Sequence, residues 1–346
     1  MPFSLLYGLG IGFRNFLFDF GLRSSKSYSF PVVSIGNLSV GGTGKTPHTE
    51  FIIQVLSEQY NLATLSRGYG RKTKGFRIAN ENDNATTIGD EPYQLFSKFN
   101  NIIVSVDEKR QRGIDELIKL PAPPKVILLD DAFQHRQVKA GLNILLTDYS
   151  KLYINDFLLP AGRLREGIRA AKRADIIVIT KSPKVLSPLE IRRITSLLKP
   201  QEYQKVFFSY IQYLSPRPLN EEAELLNIRK KDLDRFGVLM VSAIANPKPL
   251  KAYLNRYAKE LQNIDFPDHH FFSEKDYTKI KQALDTLLSP RKIIIITEKD
   301  AVKFDANEFK DVPVFYIPIS IDFHQHGEES FTEEINKYVR SYTTSR

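Results

Sequence analysis

The sequence predicts an α/β fold, built on a doubly wound, mostly parallel sheet with a second, smaller α/β domain. Short apolar runs rich in β-branched residues alternate with helical stretches, which is typical of a parallel sheet covered on both faces. A glycine-rich loop joins the first of these runs to a helix. The length of 346 residues allows roughly two domains of about 150 residues each.

The individual elements follow from hydrophobic periodicity. In the first domain, the predicted strands are 30–36, 62–66, 102–106, 125–131, 142–148, 174–180 and 205–214, with a helix over 47–59. In the second, the predicted strands are 236–244, 292–297 and 312–319, and the predicted helices are 248–261, 274–288 and 330–341. The polar loop after residue 214 divides the chain into an N-terminal segment 1–27, a first domain 28–214 and a second domain 215–346.

Composition limits the classes of function. Hydrophobic residues make up 42% of the chain and charged residues 26%, which excludes a mostly disordered chain and a polytopic membrane protein. The absence of cysteine excludes disulfides, thiolate zinc sites, iron–sulfur clusters and a cysteine nucleophile. The net charge of +9 favours an anionic partner, such as nucleic acid, a phosphorylated substrate or an acidic membrane. No run of four basic residues occurs, which argues against a nucleic-acid-binding tail.

Residues 4–22 combine an apolar, aromatic face with helical spacing. Arg14 and Asp19 interrupt the segment, and four glycines weaken it as a membrane-spanning helix. No basic region precedes it, so we do not expect a cleaved signal peptide. Two interpretations remain: an amphipathic helix lying in a membrane interface, or a helix packed on the protein's own core.

Residues 39–46, SVGGTGKT, are typical of a phosphate-binding loop between a strand and a helix. The first position of the usual pattern is Ser39 rather than glycine. The glycines let backbone N–H groups face a phosphate, Lys45 can reach the terminal phosphates, and Thr46 offers a hydroxyl to Mg²⁺. The predicted nucleotide-binding residues are Gly41, Gly42, Thr43, Gly44, Lys45 and Thr46. The first domain is therefore predicted to be P-loop NTPase-like.

A second motif supports the first. Residues 126–131, VILLDD, form an apolar strand that ends in two carboxylates, as a Walker B strand does. Asp130 or Asp131 is predicted to hold Mg²⁺, directly or through water, and the sequence leaves open which one. Together the motifs indicate a nucleoside triphosphate and magnesium, without distinguishing a switch, a motor and a kinase.

Nine short segments spread over nearly the whole chain narrow this choice. They are SIGNLSVGGTGKTP (34–47), SRGYGR (66–71), GDEP (89–92), DDAFQH (130–135), PAGRLRE (160–166), ITK (179–181), SAIANP (242–247), FPDHHFF (266–272) and TEKDAVK (297–303). In this order they resemble the tetraacyldisaccharide 4'-kinase family, the lipid A 4'-kinases of Gram-negative bacteria. Ser39 also matches this family, which has a small hydroxyl residue there.

The resemblance implies ATP-dependent phosphorylation of the 4'-hydroxyl of a tetraacylated glucosamine disaccharide 1-phosphate, giving lipid IVA. It implies ATP and Mg²⁺ as cofactors and a peripheral protein on the cytoplasmic face of the bacterial inner membrane. No nucleic acid and no obligatory protein partner are expected. A lipid substrate favours the membrane interpretation of residues 4–22, and the net charge of +9 agrees with it.

The resemblance also assigns candidate catalytic residues. A sugar hydroxyl is a poor nucleophile, so the kinase needs a base beside it and an in-line γ-phosphate. Asp90 matches the family's proposed base, and His269 matches the histidine thought to pair with it; His270 remains an alternative. Because Asp90 and His269 fall in different predicted domains, we expect the active site to form in an interdomain cleft.

Further candidates belong to the metal and substrate sites. Glu91 and Glu166 match acidic positions near the nucleotide and metal in this family, beside Thr46, Asp130 and Asp131. The substrate candidates are Arg67, Arg71, Gln134 and His135. A guanidinium group can bind the 1-phosphate through two parallel hydrogen bonds. An exposed basic loop that binds no substrate explains Arg67 and Arg71 equally well.

Two other patterns are weaker. His324 and His326 could form a metal site, but an exposed polar turn is the simpler interpretation. Lys299 and Asp300 in TEKD resemble the guanine-reading NKxD of GTPases only in part. Two alternative functions remain: a P-loop GTPase or metal-chaperone-like switch, and a nucleotide-gated lipid-binding protein that transfers no phosphate.

Overall fold

The computed structural model describes residues 2–226 and 228–342. Its strands are β1 Val32–Asn37, β2 Leu62–Ser66, β3 Arg77–Ile78, β4 Ile103–Val106, β5 Val126–Asp130, β6 Leu142–Asp148, β7 Ile176–Thr180, β8 Lys205–Tyr213, β9 Arg217–Pro218, β10 Gly237–Ser242, β11 Glu260–Asp265, β12 Lys292–Thr297, β13 Val314–Ile317 and β14 Ile319–Phe323. Its α-helices are α1 Pro2–Asp19, α2 Lys45–Ser57, α3 Ala85–Ile88, α4 Asp90–Lys98, α5 Arg110–Leu117, α6 Pro188–Leu198, α7 Glu221–Glu224, α8 Lys248–Leu254, α9 Glu274–Asp285, α10 Glu298–Ala301 and α11 Gly327–Ser341. Short 3₁₀ turns lie at Tyr153–Asn155, Ile168–Arg173, Lys230–Arg235 and Ala306–Glu308.

The chain divides into two compact units, residues 1–211 with 321–346 and residues 212–320. The first unit contains a large sheet in the order β14-β8-β7-β6-β1-β5-β2-β4-β3. The pairs from β8 to β4 are parallel, and β3 pairs antiparallel with β4. This confirms the predicted mostly parallel α/β sheet. Strand β1 lies in the middle, between β5 and β6, so the loop after β1 emerges at the carboxyl edge where such sheets bind ligands.

The second unit is a smaller α/β structure. Its sheet has the order β11-β10-β12-β13-β9, with parallel pairs except for the short antiparallel edge strand β9. β10 and β12 are almost entirely buried, as expected for central strands of a sheet covered on both faces.

The structure corrects the predicted elements in two places. The helix predicted over 248–261 ends at Leu254, and residues 260–265 form the edge strand β11. The segment predicted as the strand 312–319 is two strands, β13 and β14. Short apolar segments carry too little periodicity to mark these breaks, because pairing with distant strands decides them.

The C-terminal boundary also differs from the predicted division. The predicted second domain runs to residue 346, whereas the second unit ends at residue 320. Helix α11 packs in the core of the first unit through Phe331, Ile335 and Val339, each fully buried. The apolar side chains of α11 therefore attach this helix to the first unit.

Within residues 2–226 and 228–342, none of the helices has the length and hydropathy needed to cross a membrane.

We expect Phe331→Ala to destabilise the first unit by about 3–5 kcal/mol, the usual cost of truncating a buried phenylalanine. The Phe331 ring lies 4.8 Å from the ring of Phe323 and 5.3 Å from that of Phe207, centroid to centroid. Chemical denaturation of the full chain measures the effect, with Glu333→Ala, at an exposed position of the same helix, as control. Equal stability of the two variants would contradict the assignment of α11 to this core.

Candidate active site

The glycine-rich loop adopts the predicted geometry between β1 and α2. Gly41 has φ +105° and Gly44 has φ +84°, backbone conformations that side-chain-bearing residues rarely adopt. No heavy atom lies within 4 Å of where a Cβ would stand at Gly41 or Gly42. The loop therefore needs glycine for its backbone path, and its outer side is open to a ligand.

Polar contacts hold the loop from beneath. The Asn37 side-chain amide donates to the Thr43 hydroxyl at 2.6 Å, and the Thr180 hydroxyl donates to the Thr43 carbonyl at 2.8 Å. Lys181, whose φ is +54°, donates to the Gly42 carbonyl and lies 3.2 Å from Asp148. The carboxyl ends of β1, β6 and β7 thus fix the loop together.

His48 supports the loop from inside helix α2. Its Nδ1 lies 2.7 Å from the Gly44 carbonyl and its Nε2 lies 2.9 Å from the Ser209 hydroxyl. Burial lowers the pKa of His48 to about 4, so the ring is neutral near pH 7. A neutral ring can donate to the carbonyl through Nδ1–H and accept from the serine hydroxyl through Nε2.

Lys45 and Arg165 converge on one carboxylate. Lys45 Nζ lies 3.6 Å from Asp131, and Arg165 Nη1 lies 3.0 Å from both carboxylate oxygens. Burial opposes ionisation of Asp131, but the charges of Lys45 and Arg165 outweigh it and hold the pKa of Asp131 below its usual value. Asp131 is therefore a charge-balanced anion beside the loop.

Asp130 has the opposite environment. It is almost fully buried at the end of β5, and the Thr49 hydroxyl lies 3.3 Å from its carboxylate. Burial, reinforced by the negative charge of Glu91, raises the pKa of Asp130 to about 7, although Lys45 pulls in the other direction. Two neighbouring carboxylates thus differ in their need for a further cation.

This difference predicts a stability effect. The pKa of Asp130 is higher in the folded protein than in the unfolded chain, so protonation of its carboxyl group stabilises the folded state. This contribution to the free energy of unfolding is lost as pH rises from about 4 to about 7. Since one pKa unit corresponds to about 1.4 kcal/mol, Asp130→Asn should be more stable than the wild type by about 1–4 kcal/mol at pH 8 and about equal at pH 4.

Denaturant unfolding without nucleotide or divalent cation measures this difference. Asp131→Asn is the matched control, and it should lose stability at pH 8 because it removes an anion that two cations neutralise. A lower free energy of unfolding for Asp130→Asn at pH 8 would contradict the analysis.

Asp90 begins helix α4 and is 5% exposed. Gly89 before it has φ +98°, and a Cβ there would stand 2.9 Å from the Tyr69 carbonyl. A Cβ at Gly68 would likewise stand 2.7 Å from the Ile88 carbonyl. These glycines let the predicted turn 66–71 pack directly against the segment that carries Asp90.

A group of basic side chains lies near the two aspartates. Arg110 is 2% exposed, and burial lowers its pKa to about 10 although the charges of Asp130 and Asp131 support it. Burial, reinforced by the charges of Arg110 and Arg67, lowers the pKa of His135 to about 4. His135 is therefore neutral near pH 7, while exposed Arg67 and buried Arg110 supply positive charge for an anion.

Gln134 has a supporting position. Its side-chain amide donates to the Asn37 carbonyl at 2.9 Å and its oxygen accepts from Arg165 at 3.2 Å. It therefore links the end of β1 to the arginine that holds Asp131.

Arg71, which the sequence predicts as a phosphate ligand, binds other groups of the protein. Its side chain is 3% exposed, and its Nη2 donates to Glu108 and to the Gly75 carbonyl, the latter at 2.7 Å. These contacts hold the 66–75 loop in shape, so Arg71 is a structural residue of the turn, whereas Arg67 is exposed.

Glu166, which the sequence predicts near the metal, is bound by other side chains of the protein. Its carboxylate is fully buried and accepts hydrogen bonds from Arg14 at 3.1 Å, Asn15 at 3.1 Å and Arg173 at 2.9 Å. Two arginines already neutralise its charge, and Arg14 and Asn15 belong to α1. Glu166 anchors the N-terminal helix, and we leave it out of the metal site.

The second unit carries both histidines of the predicted FPDHH segment. His270 stacks on Phe266 with 4.9 Å between ring centroids, and its Nε2 lies 3.0 Å from Asp276. His269 has φ +61°, and its Nε2 lies 3.0 Å from Lys299 Nζ. The His270 ring is thus bound to the start of α9, whereas the His269 ring contacts Lys299.

No cluster of three or more acidic or histidine side chains suited to a metal ion occurs in residues 2–226 and 228–342. His324 of the predicted H-x-H pair lies 3.1 Å from the Ser182 hydroxyl and 4.9 Å from the Tyr210 ring, between centroids.

The sequence interpretation missed three residues of the site. Arg165 lies in PAGRLRE, one of the nine segments that resemble the family, and this placement was a sequence signal for a residue of the site. Lys181 lies in the ITK segment of the same set, directly after strand β7, and so had the same signal. Arg110 offers none, because only the folded chain brings the start of α5 to β5.

The sequence profile of the tetraacyldisaccharide-1-P 4'-kinase family matches residues 1–340. The tetraacyldisaccharide 4'-kinase of Parabacteroides distasonis is 44% identical over 98% of this chain and 93% of its own length. That of Flavobacterium psychrophilum is 45% identical over 99% and 97%. The crystal structure of LpxK from Aquifex aeolicus in complex with ATP is 29% identical, with a TM-score of 0.73 and 98% of both chains covered.

Proposed function

The chain belongs to the tetraacyldisaccharide-1-P 4'-kinase family, and we propose that it transfers the γ-phosphoryl group of ATP to the 4'-hydroxyl of a tetraacylated glucosamine disaccharide 1-phosphate. The observation that carries this function is the open glycine loop with Lys45 and the two aspartates beside it, in a chain matched by the family from residue 1 to 340. The product would be lipid IVA, a step in lipid A biosynthesis.

The loop supplies the ATP site. Backbone N–H groups of Gly41, Gly42, Thr43 and Gly44, with the N-terminus of α2, would bind the phosphates. Lys45 lies 3.6 Å from Asp131 and would transfer its contact to the terminal phosphates when ATP enters. Because Arg165 also pairs with Asp131, that carboxylate stays neutralised when the lysine moves.

Hard oxygen donors at the loop fit Mg²⁺. The half-buried Thr46 hydroxyl and the Asp130 carboxylate are the proposed ligands, and Glu91 adds negative charge close to Asp130. Asp131 already has two cationic partners, whereas the raised pKa of Asp130 indicates an anion that lacks compensation. Bound Mg²⁺ would neutralise charge on the transferring phosphoryl group. We therefore assign the direct contact to Asp130.

Asp90 is the proposed base. Its carboxylate would take the proton of the 4'-hydroxyl while that oxygen forms a bond to the γ-phosphorus. The bond between the γ-phosphorus and the β,γ-bridging oxygen breaks, and ADP leaves with that oxygen. We propose that Arg67 and Arg110 attract the anionic substrate and that His269 is a second catalytic residue.

We expect Asp90→Ala to lower kcat by about 10²–10⁴-fold, the usual range for loss of a general base, with little change in the KM for ATP. The assay uses γ-labelled ATP, Mg²⁺ and disaccharide 1-phosphate in detergent micelles, with GTP as competitor. Lys45→Ala should abolish turnover because the charge at the terminal phosphates is lost. An effect of Asp90→Ala on KM alone would make Asp90 a binding residue.

The same assay separates the alternatives. Labelled free phosphate without a lipid product, suppressed by GTP, would indicate a GTPase-like switch. Lipid binding without a labelled product would indicate a nucleotide-gated lipid-binding protein. If Asp90 and His269 contribute to the same catalytic step, the Asp90→Ala/His269→Ala double variant should be little slower than the slower single variant.

We propose that α1 binds the bilayer interface at the cytoplasmic face of the inner membrane, where ATP is available. Tyr7, Arg14 and Asn15 contact the first unit, whereas Leu5, Leu9 and other apolar side chains of the same helix are exposed. These exposed apolar side chains favour the membrane interpretation over a helix packed on the protein's own core. A lipid substrate explains why an apolar face is left open.

We expect the triple substitution Leu5→Ser/Leu9→Ser/Phe13→Ser to reduce vesicle binding about tenfold or more, because side chains that are 65–71% exposed would bury apolar area in the interface. Cosedimentation with vesicles of phosphatidylethanolamine and phosphatidylglycerol measures it. The matched control is Leu189→Ser/Leu225→Ser/Leu288→Ser, which removes three apolar side chains elsewhere that are even more exposed, at 77–92%. Equal losses in both variants would refute the role of α1.

A further inference from the structure

Two consecutive carbonyl groups of the glycine-rich loop are held from inside the first unit. The Thr43 carbonyl accepts a hydrogen bond from the Thr180 hydroxyl at 2.8 Å, and the Gly44 carbonyl lies 2.7 Å from His48 Nδ1. Thr180 and His48 are both completely buried. Thr180 belongs to one of the nine segments that resemble the family, whereas His48 follows the segment 34–47 and has no part in the proposed function.

The His48 ring is the closer partner of the Gly44 carbonyl. The backbone N–H of His48 also reaches this oxygen, in the first turn of α2, but at 3.4 Å against 2.7 Å for the ring nitrogen. A carbonyl can only accept, so Nδ1 carries the hydrogen, and Nε2 of the neutral ring accepts from the Ser209 hydroxyl at 2.9 Å. Both ring nitrogens thus have partners in the interior, and the ring connects β8 to the loop.

This contact sets the direction of one backbone N–H group. In a trans peptide, the C=O of one residue and the N–H of the next residue point in opposite directions. Because the buried His48 ring binds the Gly44 carbonyl, the Lys45 N–H is turned away from the interior. Lys45 is the first residue of α2, so its N–H has no acceptor within the helix and can donate to an anion.

The Gly44–Lys45 peptide needs such a partner because glycine restricts it little. Gly44 has φ +84°, and it lacks the Cβ that would limit rotation of the backbone. If this peptide turned over, its carbonyl oxygen, rather than the Lys45 N–H, would meet the phosphates. An attractive contact would then become a repulsion between negatively charged oxygens.

We propose that His48 is a positioning residue for ATP: its ring holds the Gly44–Lys45 peptide with the carbonyl toward the interior and the Lys45 N–H toward the phosphates. This inference rests on the ATP site of the proposed function and does not involve the lipid acceptor. The loop then meets ATP with this donor already oriented, which lowers the conformational cost of binding.

NMR can observe this peptide alone, because Gly44–Lys45 is the one Gly–Lys pair in the sequence. The full chain in detergent micelles, with ¹³C at its glycine carbonyls and ¹⁵N in its lysines, gives one signal in a spectrum filtered for directly bonded carbonyl carbon and amide nitrogen. We expect the Lys45 amide proton of the wild type to move downfield when ATP is added. The Gly44 carbonyl carbon should move upfield in His48→Leu, which has no donor. It should keep its position in His48→Asn, whose amide nitrogen is bonded to Cγ as Nδ1 is.

Calorimetric titration with ATP, without lipid, measures the consequence for binding. His48→Leu should bind ATP about tenfold or more weakly, because a hydrogen bond to a charged group is lost, whereas His48→Asn should stay close to the wild type. Ile53→Ala is the control, since Ile53 is a completely buried residue of the same helix. Its truncation should lower the free energy of unfolding without weakening ATP binding. In turnover, His48→Leu should raise the KM for ATP and leave the KM for the disaccharide unchanged.

Unchanged ATP affinity in folded His48→Leu would overturn the inference, and so would an equal loss of affinity in His48→Leu and Ile53→Ala. A wild-type Lys45 amide proton that does not respond to bound ATP would also overturn it, and this test stands even if His48→Leu does not fold. Wild-type protein that binds no ATP would refute both the inference and the proposed function. Wild-type protein that binds ATP but forms no phosphorylated lipid would refute the proposed function alone.

Discussion

The buried carboxylate of Glu166 ties helix α1 to the segment that braces the glycine-rich loop. A fully buried anion is tolerated only when it is paired, and Glu166 is paired with Arg14 of α1 and with Arg173. Removing either arginine would leave part of this charge uncompensated. The exposed side chains of Leu5, Leu9 and Phe13 do not hold α1 in place, so its position depends in part on the contacts of Arg14 and Asn15 with Glu166.

The segment that carries Glu166 also braces the nucleotide loop. The Val40 N–H donates to the Arg163 carbonyl at 2.8 Å, and the Arg165 N–H donates to the Leu38 carbonyl at 2.7 Å. The Arg165 side chain then reaches Asp131. Four consecutive residues, 163–166, thus contact α1, the glycine-rich loop and Asp131, so the position of the helix and that of the loop depend on one short piece of backbone.

The parts of this arrangement that could be predicted from the sequence are the local ones. Strand β1, its loop and α2 follow each other directly, so spacing alone identifies them, and the apolar run of β5 leads to Asp130 in the same way. Glu166 and Arg71 have no such local signal. Whether a carboxylate holds a metal or an arginine depends on Arg14, 152 residues away, and Arg71 is committed to Glu108, 37 residues away.

The contrast between Asp130 and Asp131 explains how adjacent identical residues take different roles. Asp131 meets Lys45 and Arg165, which keep it ionised and make it a structural anion for the lysine. Asp130, enclosed in the strand end and close to Glu91, carries a charge that the protein alone compensates poorly. The burial that raises the pKa of Asp130 is thus the physical difference between the two residues.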